Sequence, residues 1–436
     1  ELMSGNEAIA EGAWEAGADV GVAYPGTPST ETMEEFAKKD GVYAEWCTNE
    51  KVALEVGLGA AAAGAKVLVT MKHVGVNVAA DPLFTAAYTG TGAGAIVILA
   101  ADDPGMYSSQ NEQDSHYYAQ AAHILMLEPS DSAEALSFAK RAFQISQTRN
   151  MPVFLRSTVR ISHTKTPVER GEREIVPSGE YEKDPGAWVM MPAFAKPRRK
   201  VQLARIDAMA AFADETDLNR CEMRDTSIGV VCAGACYQHV REALPDASVL
   251  KLGVTWPLPA RKLSEFAAAV DVLYVVEEAS TYLADGVRQL GIPVASFPTP
   301  LPRDGELSPG LIRQALGLPV PVHKDAPAGR SGPSSGALPR VPAPPRLQGA
   351  LPHEGDRDRR HRLLHARRAS AAFRDGHLRR HGRLRLDGAR VRARARRQGA
   401  PSRRRRHRRF HLRSFRPLVA HLRRSTTRAP ARSASR

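Results

Sequence analysis

The sequence predicts an α/β protein built on a parallel sheet, followed by a second, smaller α/β region and then by a tail of different character. Three observations carry this. Short apolar runs alternate with segments of helical length through about residue 160, the pattern of strands and crossover helices in a parallel sheet. The same alternation resumes between Thr226 and Ala315. Beyond Val320 both patterns stop.

Taken in order, Ser4-Gly5-Asn6-Glu7 has the spacing of a capping box, and Ala8 to Ala16 continue with helical periodicity. DVGVAY, ending at Tyr24, is an apolar strand. Tyr24-Pro25-Gly26-Thr27-Pro28-Ser29-Thr30 is a loop leading to a helix, TETMEEFAKK, whose acids come early and whose lysines come late, as the helix dipole favours. Further strands are expected near residues 42–46, 66–70 and 95–99, with helices near 50–63 and 77–88. Ligands of such sheets bind at the carboxyl ends of the strands, which makes the Tyr24 loop a candidate. Gly90, Gly92 and Gly94 precede a strand, whereas a dinucleotide fingerprint follows one and opens a helix, so a nicotinamide-binding domain is not indicated.

One acid stands out. In EWCTNEKVALEVGLGAAAAG, from Glu45 to Gly64, Asn49 can cap a helix whose first residue is Glu50, and nearly everything after it is Ala, Gly, Val or Leu. Glu50 is either a partner of the helix dipole or a carboxylate held for chemistry, and composition leaves both open. Lys72-His73 closes the next strand and is either a solvated strand end or a ligand contact. Residues 108–115 form a polar loop in which Asn111, Glu112 and Asp114 border the site or an interface, with no role assigned.

A helix and the strand MPVFLRS fall between residues 129 and 160, and a polar connector with a helix at 201–215 follows. The second alternation reads SIGVVCAG, helix 237–243, VLKLGV, helix 259–268, VLYVVEEA, helix 282–289 and PVASF. Glu277 and Glu278 close a strand as interface or salt-bridge residues. The cysteines, Cys47, Cys221, Cys232 and Cys236, form no Cys-x-x-Cys pair, so neither a disulfide framework nor a zinc site is expected. No signal peptide or membrane-spanning run is visible, and a cytoplasmic location without membrane contact is expected.

GNEAIAEGAWEAGADVGVAYPGTPSTE, TNEKVALEVGLGAAAAGAKVLVTMKHVGVNVAADPL and SSQNEQDSHYYA, in that order and without gaps, resemble the thiamine-diphosphate-dependent 2-oxoacid:ferredoxin oxidoreductases, and among them the alpha subunits that act on indolepyruvate. The resemblance covers roughly the first 320 residues. It implies a pyrimidine-binding domain at 1–160, a connector at 161–225, and a transketolase C-terminal-like domain at 226–320. It implies that Glu50, in a Glu-x-x-Ala segment with Ala53, is the acid that hydrogen-bonds the cofactor's aminopyrimidine. It further implies substrate contacts from Thr27, Pro28 and Ser29 and cofactor contacts from Gly26, Lys72 and His73. The activity implied is oxidative decarboxylation of indolepyruvate or related arylpyruvates to the acyl-CoA. Its implied partners are a beta (gamma-type) subunit, ferredoxin and coenzyme A, and its implied groups are thiamine diphosphate, Mg²⁺ and 4Fe-4S clusters. Ligands for the metals are not found in this chain.

The tail, 321–436, carries 33 Lys+Arg and 6 Asp+Glu, a net +27, whereas residues 1–320 carry 28 and 41, a net −13. It contains no Ile, Met, Asn, Tyr, Trp or Cys, and 32 of its basic residues are Arg. A basic nucleic-acid-binding tail is one reading. Another is a GC-rich gene read out of frame: with one fixed shift and freely chosen synonymous codons, SSGALPRVPAPPRLQGA becomes PPVLCPGCPHRRASKAL, and two later segments also become family-like, including a Gly-Asp-Ser stretch suited to Mg²⁺ and diphosphate. The second reading is preferred. It makes the tail a disordered remnant of a diphosphate-binding domain and the chain inactive alone. A non-catalytic scaffold subunit or a nucleic-acid binder is the alternative.

Overall fold

Thirteen strands appear in the computed structural model, which describes residues 1–175, 179 and 181–321; the expectations for residues 322–436 lie outside these. They are β1 (Leu2–Ser4), β2 (Val20–Ala23), β3 (Tyr43–Trp46), β4 (Lys66–Lys72), β5 (Ala95–Asp102), β6 (Leu125–Leu127), β7 (Val153–Thr158), β8 (Lys165–Pro167), β9 (Arg220–Glu222), β10 (Asp225–Ala233), β11 (Ala247–Leu252), β12 (Val254–Trp256) and β13 (Val272–Val276). A seven-stranded sheet has the order β12-β6-β7-β5-β4-β2-β3 and is parallel except for β12. A four-stranded sheet has the order β13-β10-β11-β9, parallel except for β9. β1 and β8 form an antiparallel pair.

β4 and β5 are buried along their whole length, as strands covered on both faces must be. Leu68, Val97 and Leu99 pack on one side with helices Gly5–Glu15 and Ser132–Arg149, while Val67, Val69, Ile96 and Ile98 pack on the other with helix Glu50–Ala62. That last helix lies close because it carries small residues. A Cβ on Gly57 would stand 3.0 Å from Val69 Cγ2. The capping box at Ser4 and Glu7 forms, with both reciprocal bonds present.

Several expectations need correction. The helix placed at 77–88 is two helices, His73–Val78 and Ala80–Thr89, the first starting directly at the end of β4. The helix expected at 201–215 begins nine residues earlier, running Pro192–Glu215 with Pro197 inside it; Pro192 sits in the first turn, where a missing N–H is harmless. VLKLGV is not one strand: the chain passes from β11 into β12 at Gly253 and changes sheets, held there by Asn219 Oδ1, which accepts the N–H groups of Gly253 (2.8 Å) and Val254 (2.9 Å). PVASF forms no strand, since Pro293 has no N–H to give and a single bond, Ala295 N–H to Leu273 O (2.8 Å), ties it to β13.

Candidate functional site

The order of the large sheet reverses at β2, with β3 on one side and β4 on the other, and the crevice beyond the carboxyl ends at such a reversal is where ligands bind. Three segments meet there: the loop after β2, the helix start after β3, and the end of β4. Asn49 stands in extended conformation and accepts the Val52 N–H at 2.9 Å, which fixes the first turn of helix Glu50–Ala62. Glu50, the first residue of that turn, is only 7% exposed. Its carboxylate makes no hydrogen bond or ion pair with any described residue. It lies against Gly75, at whose Cα a methyl group would stand 2.6 Å from Glu50 Oε1.

The loop after β2 is closed by its own groups. The Gly26 N–H donates to Thr30 Oγ1 (2.8 Å), the Ser29 hydroxyl donates to Gly26 O (2.8 Å), and Asn6 Nδ2 donates to Pro28 O (2.8 Å). The Thr27–Pro28 bond is cis. Ser29 is fully buried with its proton committed to Gly26, and it makes no side-chain cap, while Thr27 is half-buried. Gly26 rests on the Lys72 side chain, where a Cβ would be 3.0 Å from Lys72 Cδ.

Lys72 and His73 are not a solvated strand end. Lys72 is 7% exposed and donates to Ser108 O at 2.9 Å; burial pushes its ammonium below the usual lysine range, against the pull of Asp103. His73 is fully buried and its Nδ1 accepts the Val74 N–H (2.7 Å), which leaves the proton on Nε2. Nε2 is buried beside the backbone of Asn111 and meets the geometry of a hydrogen bond with no described residue, and burial holds the ring below its ordinary range, hence neutral. The structure therefore brings Gly26, Glu50, Lys72 and His73 to one crevice.

A second polar cluster, not foreseen, lies beyond the ends of β5, β6 and β7. Arg156 Nε donates to Asp102 (2.8 Å) and its Nη1 to Glu128; His116 bridges Asp114 (2.6 Å) and Glu128 (2.8 Å). Ser115 donates its N–H to Asp102 (3.0 Å), the Ser280 hydroxyl donates to Asp114, and the Tyr282 ring stacks on His116 at 4.6 Å. Burial opposes the charge on His116, but Asp114 and Glu128 outweigh it and raise its pKa to about 9. Asp114 is likewise desolvated, yet His116 and Arg156 hold it well below the usual carboxylate range. Glu277 and Glu278 make no salt bridge among the described residues. They accept backbone N–H groups, from Leu283 and Ala284 and from Leu307, and burial raises both to about 7. A lone Arg in the apolar strand VFLRST, and Asp102-Asp103 closing an apolar run, were the available signals.

Cavities of about 380 and 320 Å³ flank β13 and the Tyr282–Gln289 helix, and neither is lined by a residue of the Glu50 crevice. Among the described residues no group of three or more His, Cys, Asp or Glu stands ready for a metal, and no helix is long and apolar enough to cross a membrane. Cys232 and Cys236 are buried free thiols, both raised by desolvation.

Residues 11–209 match the family described as pyruvate flavodoxin/ferredoxin oxidoreductase, thiamine diphosphate-binding. Indolepyruvate oxidoreductase subunit IorA of Methanothermobacter marburgensis is 40% identical over 332 residues, covering 72% of this chain and 54% of that protein. Over residues 11–209 the chain carries a domain that matches this thiamine diphosphate-binding family. IorA of Pyrococcus abyssi is 38% identical over 376 residues, 81% of this chain and 58% of its own length. The chain spans about half the length of the curated relatives it matches. The structure of 2-oxoglutarate:ferredoxin oxidoreductase from Magnetococcus marinus superposes with a TM-score of 0.61 at 18% identity, covering 73% of this chain and 64% of that one, which speaks for the fold. The residues of the crevice fit the pyrimidine of the cofactor that the matched domain binds: a carboxylate on a buried residue, without a partner among the described residues, is free to take a hydrogen bond from a ring nitrogen.

Proposed function

We propose that the chain is the pyrimidine-binding part of a thiamine-diphosphate-dependent 2-oxoacid:ferredoxin oxidoreductase subunit that decarboxylates indolepyruvate or a related arylpyruvate, passing the acyl group to coenzyme A and electrons to ferredoxin. The observation that carries this is Glu50, a buried carboxylate left open in the crevice of a matched cofactor-binding domain. Bound thiamine diphosphate supplies the carbon nucleophile and electron sink for 2-oxoacid decarboxylation.

The chain's own residues have narrower tasks. Glu50 would hold the pyrimidine ring nitrogen of the bound cofactor by a hydrogen bond from its carboxyl group, keeping a proton at that contact. His73, neutral with its proton on Nε2, keeps that donor beside the backbone of Asn111 at the end of β4, where a bound group could take it. Lys72 props Gly26 and the loop 103–109, whose backbone folds onto Asp103 through the N–H groups of Tyr107 (3.2 Å) and Ser108 (2.9 Å). Thr27 and the Pro28 edge of the loop face the substrate side. Ser29 serves there by shaping the loop, its hydroxyl being engaged. Mg²⁺, the iron–sulfur clusters and a beta (gamma-type) subunit belong to the complete assembly, and the cytoplasm is its proposed location.

The sequence reading places the diphosphate half out of frame after Val320, so turnover is expected from the frame-corrected protein with its partner subunit and not from the chain alone. The test is reduction of ferredoxin with indolepyruvate and coenzyme A. Glu50→Gln in the corrected protein is expected to lower the rate by about 10²–10⁴-fold. An unchanged rate would remove Glu50 from the mechanism.

A further inference from the structure

We infer that Gly75 is a positioning residue: the side chain it lacks is the space in which the Glu50 carboxylate stands. The inference rests on the reading of Glu50 above for its catalytic meaning, though not for its geometry. Gly75 is the third residue of helix His73–Val78 and is buried. A Cβ there would lie 2.6 Å from Glu50 Oε1, 2.7 Å from Cγ and 2.9 Å from Cδ, closer than side-chain carbons come to one another, and these are its three nearest neighbours.

Nothing else accounts for a glycine at this position. Its backbone is not among those with positive φ, so the conformation does not demand it. Within a helix, alanine is the better residue. Nor can Glu50 retreat with its backbone. Asn49 caps its helix, and Gly57 seats that helix against Val67 and Val69 of β4, so a methyl group at 75 can be admitted only by rotating the Glu50 side chain out of place. The position therefore ties the carboxylate to the end of β4, one turn of chain from His73.

Thermal unfolding of the full chain tests this in a cycle of Gly75→Ala, Glu50→Ala and the double variant. With Glu50 present, Gly75→Ala is expected to lower the Tm by about 2–6 °C through overpacking. In the Glu50→Ala background the same change is expected to raise it by about 2 °C, because only the helix preference remains. A second readout is carboxyl labelling of the folded chain with a carbodiimide and an amine, followed by peptide mass. Gly75→Ala should speed labelling of Glu50 several-fold while half-exposed Glu55 stays constant. A change of the same sign in both backgrounds, or unaltered labelling of Glu50, would overturn the inference. In the frame-corrected protein, added thiamine diphosphate and Mg²⁺ should slow Glu50 labelling, and should not do so once Gly75→Ala is introduced. If they leave the corrected protein unaffected while the other two results hold, the cofactor reading of Glu50 fails and the positioning by Gly75 stands.

Discussion

Glu50 and Glu128 are both acids buried beyond the strand ends of one sheet, 7% and 3% exposed, yet the protein treats them in opposite ways. Glu128 is enclosed by Arg156 and His116, and its neighbours Asp102 and Asp114 are enclosed in turn by Arg156, Ser115, His116 and Ser280. Glu50 has a helix cap beside it, a glycine in front of it and no partner among the described residues. Burial of the residue alone thus fails to separate the paired acid from the one proposed to meet the cofactor. A saturated cluster holds parts of a protein together; a carboxylate on a buried residue whose oxygens keep no described partner is open to a ligand.

The contrast can be broken most forcefully at Arg156. Arg156→Ala leaves Asp102 and Glu128 buried without their cation, and a loss of about 3–5 kcal/mol in denaturant unfolding is expected, enough to threaten folding. Glu50→Gln, an equally buried change, is expected to shift the same measurement by less than about 1 kcal/mol, because no protein bond is lost. A large cost there would mean that Glu50 is structural.

A smaller effect sharpens the account through pH. Glu277 and Glu278 titrate near 7 when folded, above the ordinary carboxylate value, so the folded chain keeps protons that the unfolded chain has released. Their contribution to stability is therefore greatest below about pH 4.5 and is lost as pH rises through about 7. Glu278→Gln should flatten that fall and leave the variant more stable than wild type at pH 8 by on the order of 1 kcal/mol. His116, raised to about 9, has the later window: its stabilisation is complete below its unfolded value and fades as pH climbs through 9. A stability profile flat between about pH 5 and 6, below the unfolded value of histidine, would contradict the first assignment without touching the second. At the bottom of the scale, Lys51→Ala removes a solvent-screened surface pair with Asp81 and should leave the unfolding midpoint unchanged within error.

The same contrast explains what the sequence could tell. The capping box, strands β2 to β5 and the opening of the Glu50 helix were legible because each is a local pattern of neighbours a few residues apart. Glu50 was legible because an acid opening a run of Ala and Gly is conspicuous. Arg156, His116 and Glu128 were not, because each looks ordinary in its own segment and only the strand order β6-β7-β5 brings them together. The crossing of β12 into the large sheet was hidden for a similar reason: VLKLGV reads as one apolar run, and the break at Gly253 is enforced by the distant Asn219. The burial of Lys72 and His73 depends on the loop 103–111 folding over them, which no periodicity announces.

The most direct test of the central claim is a calorimetric titration of the frame-corrected protein with thiamine diphosphate and Mg²⁺, wild type at position 50 beside Glu50→Gln. If Glu50 is the open partner of the aminopyrimidine, the wild type binds and the substitution weakens binding by about tenfold or more, the worth of a hydrogen bond to a charged group, with the Tm of the free protein unchanged. Equal affinity in the two proteins would contradict it.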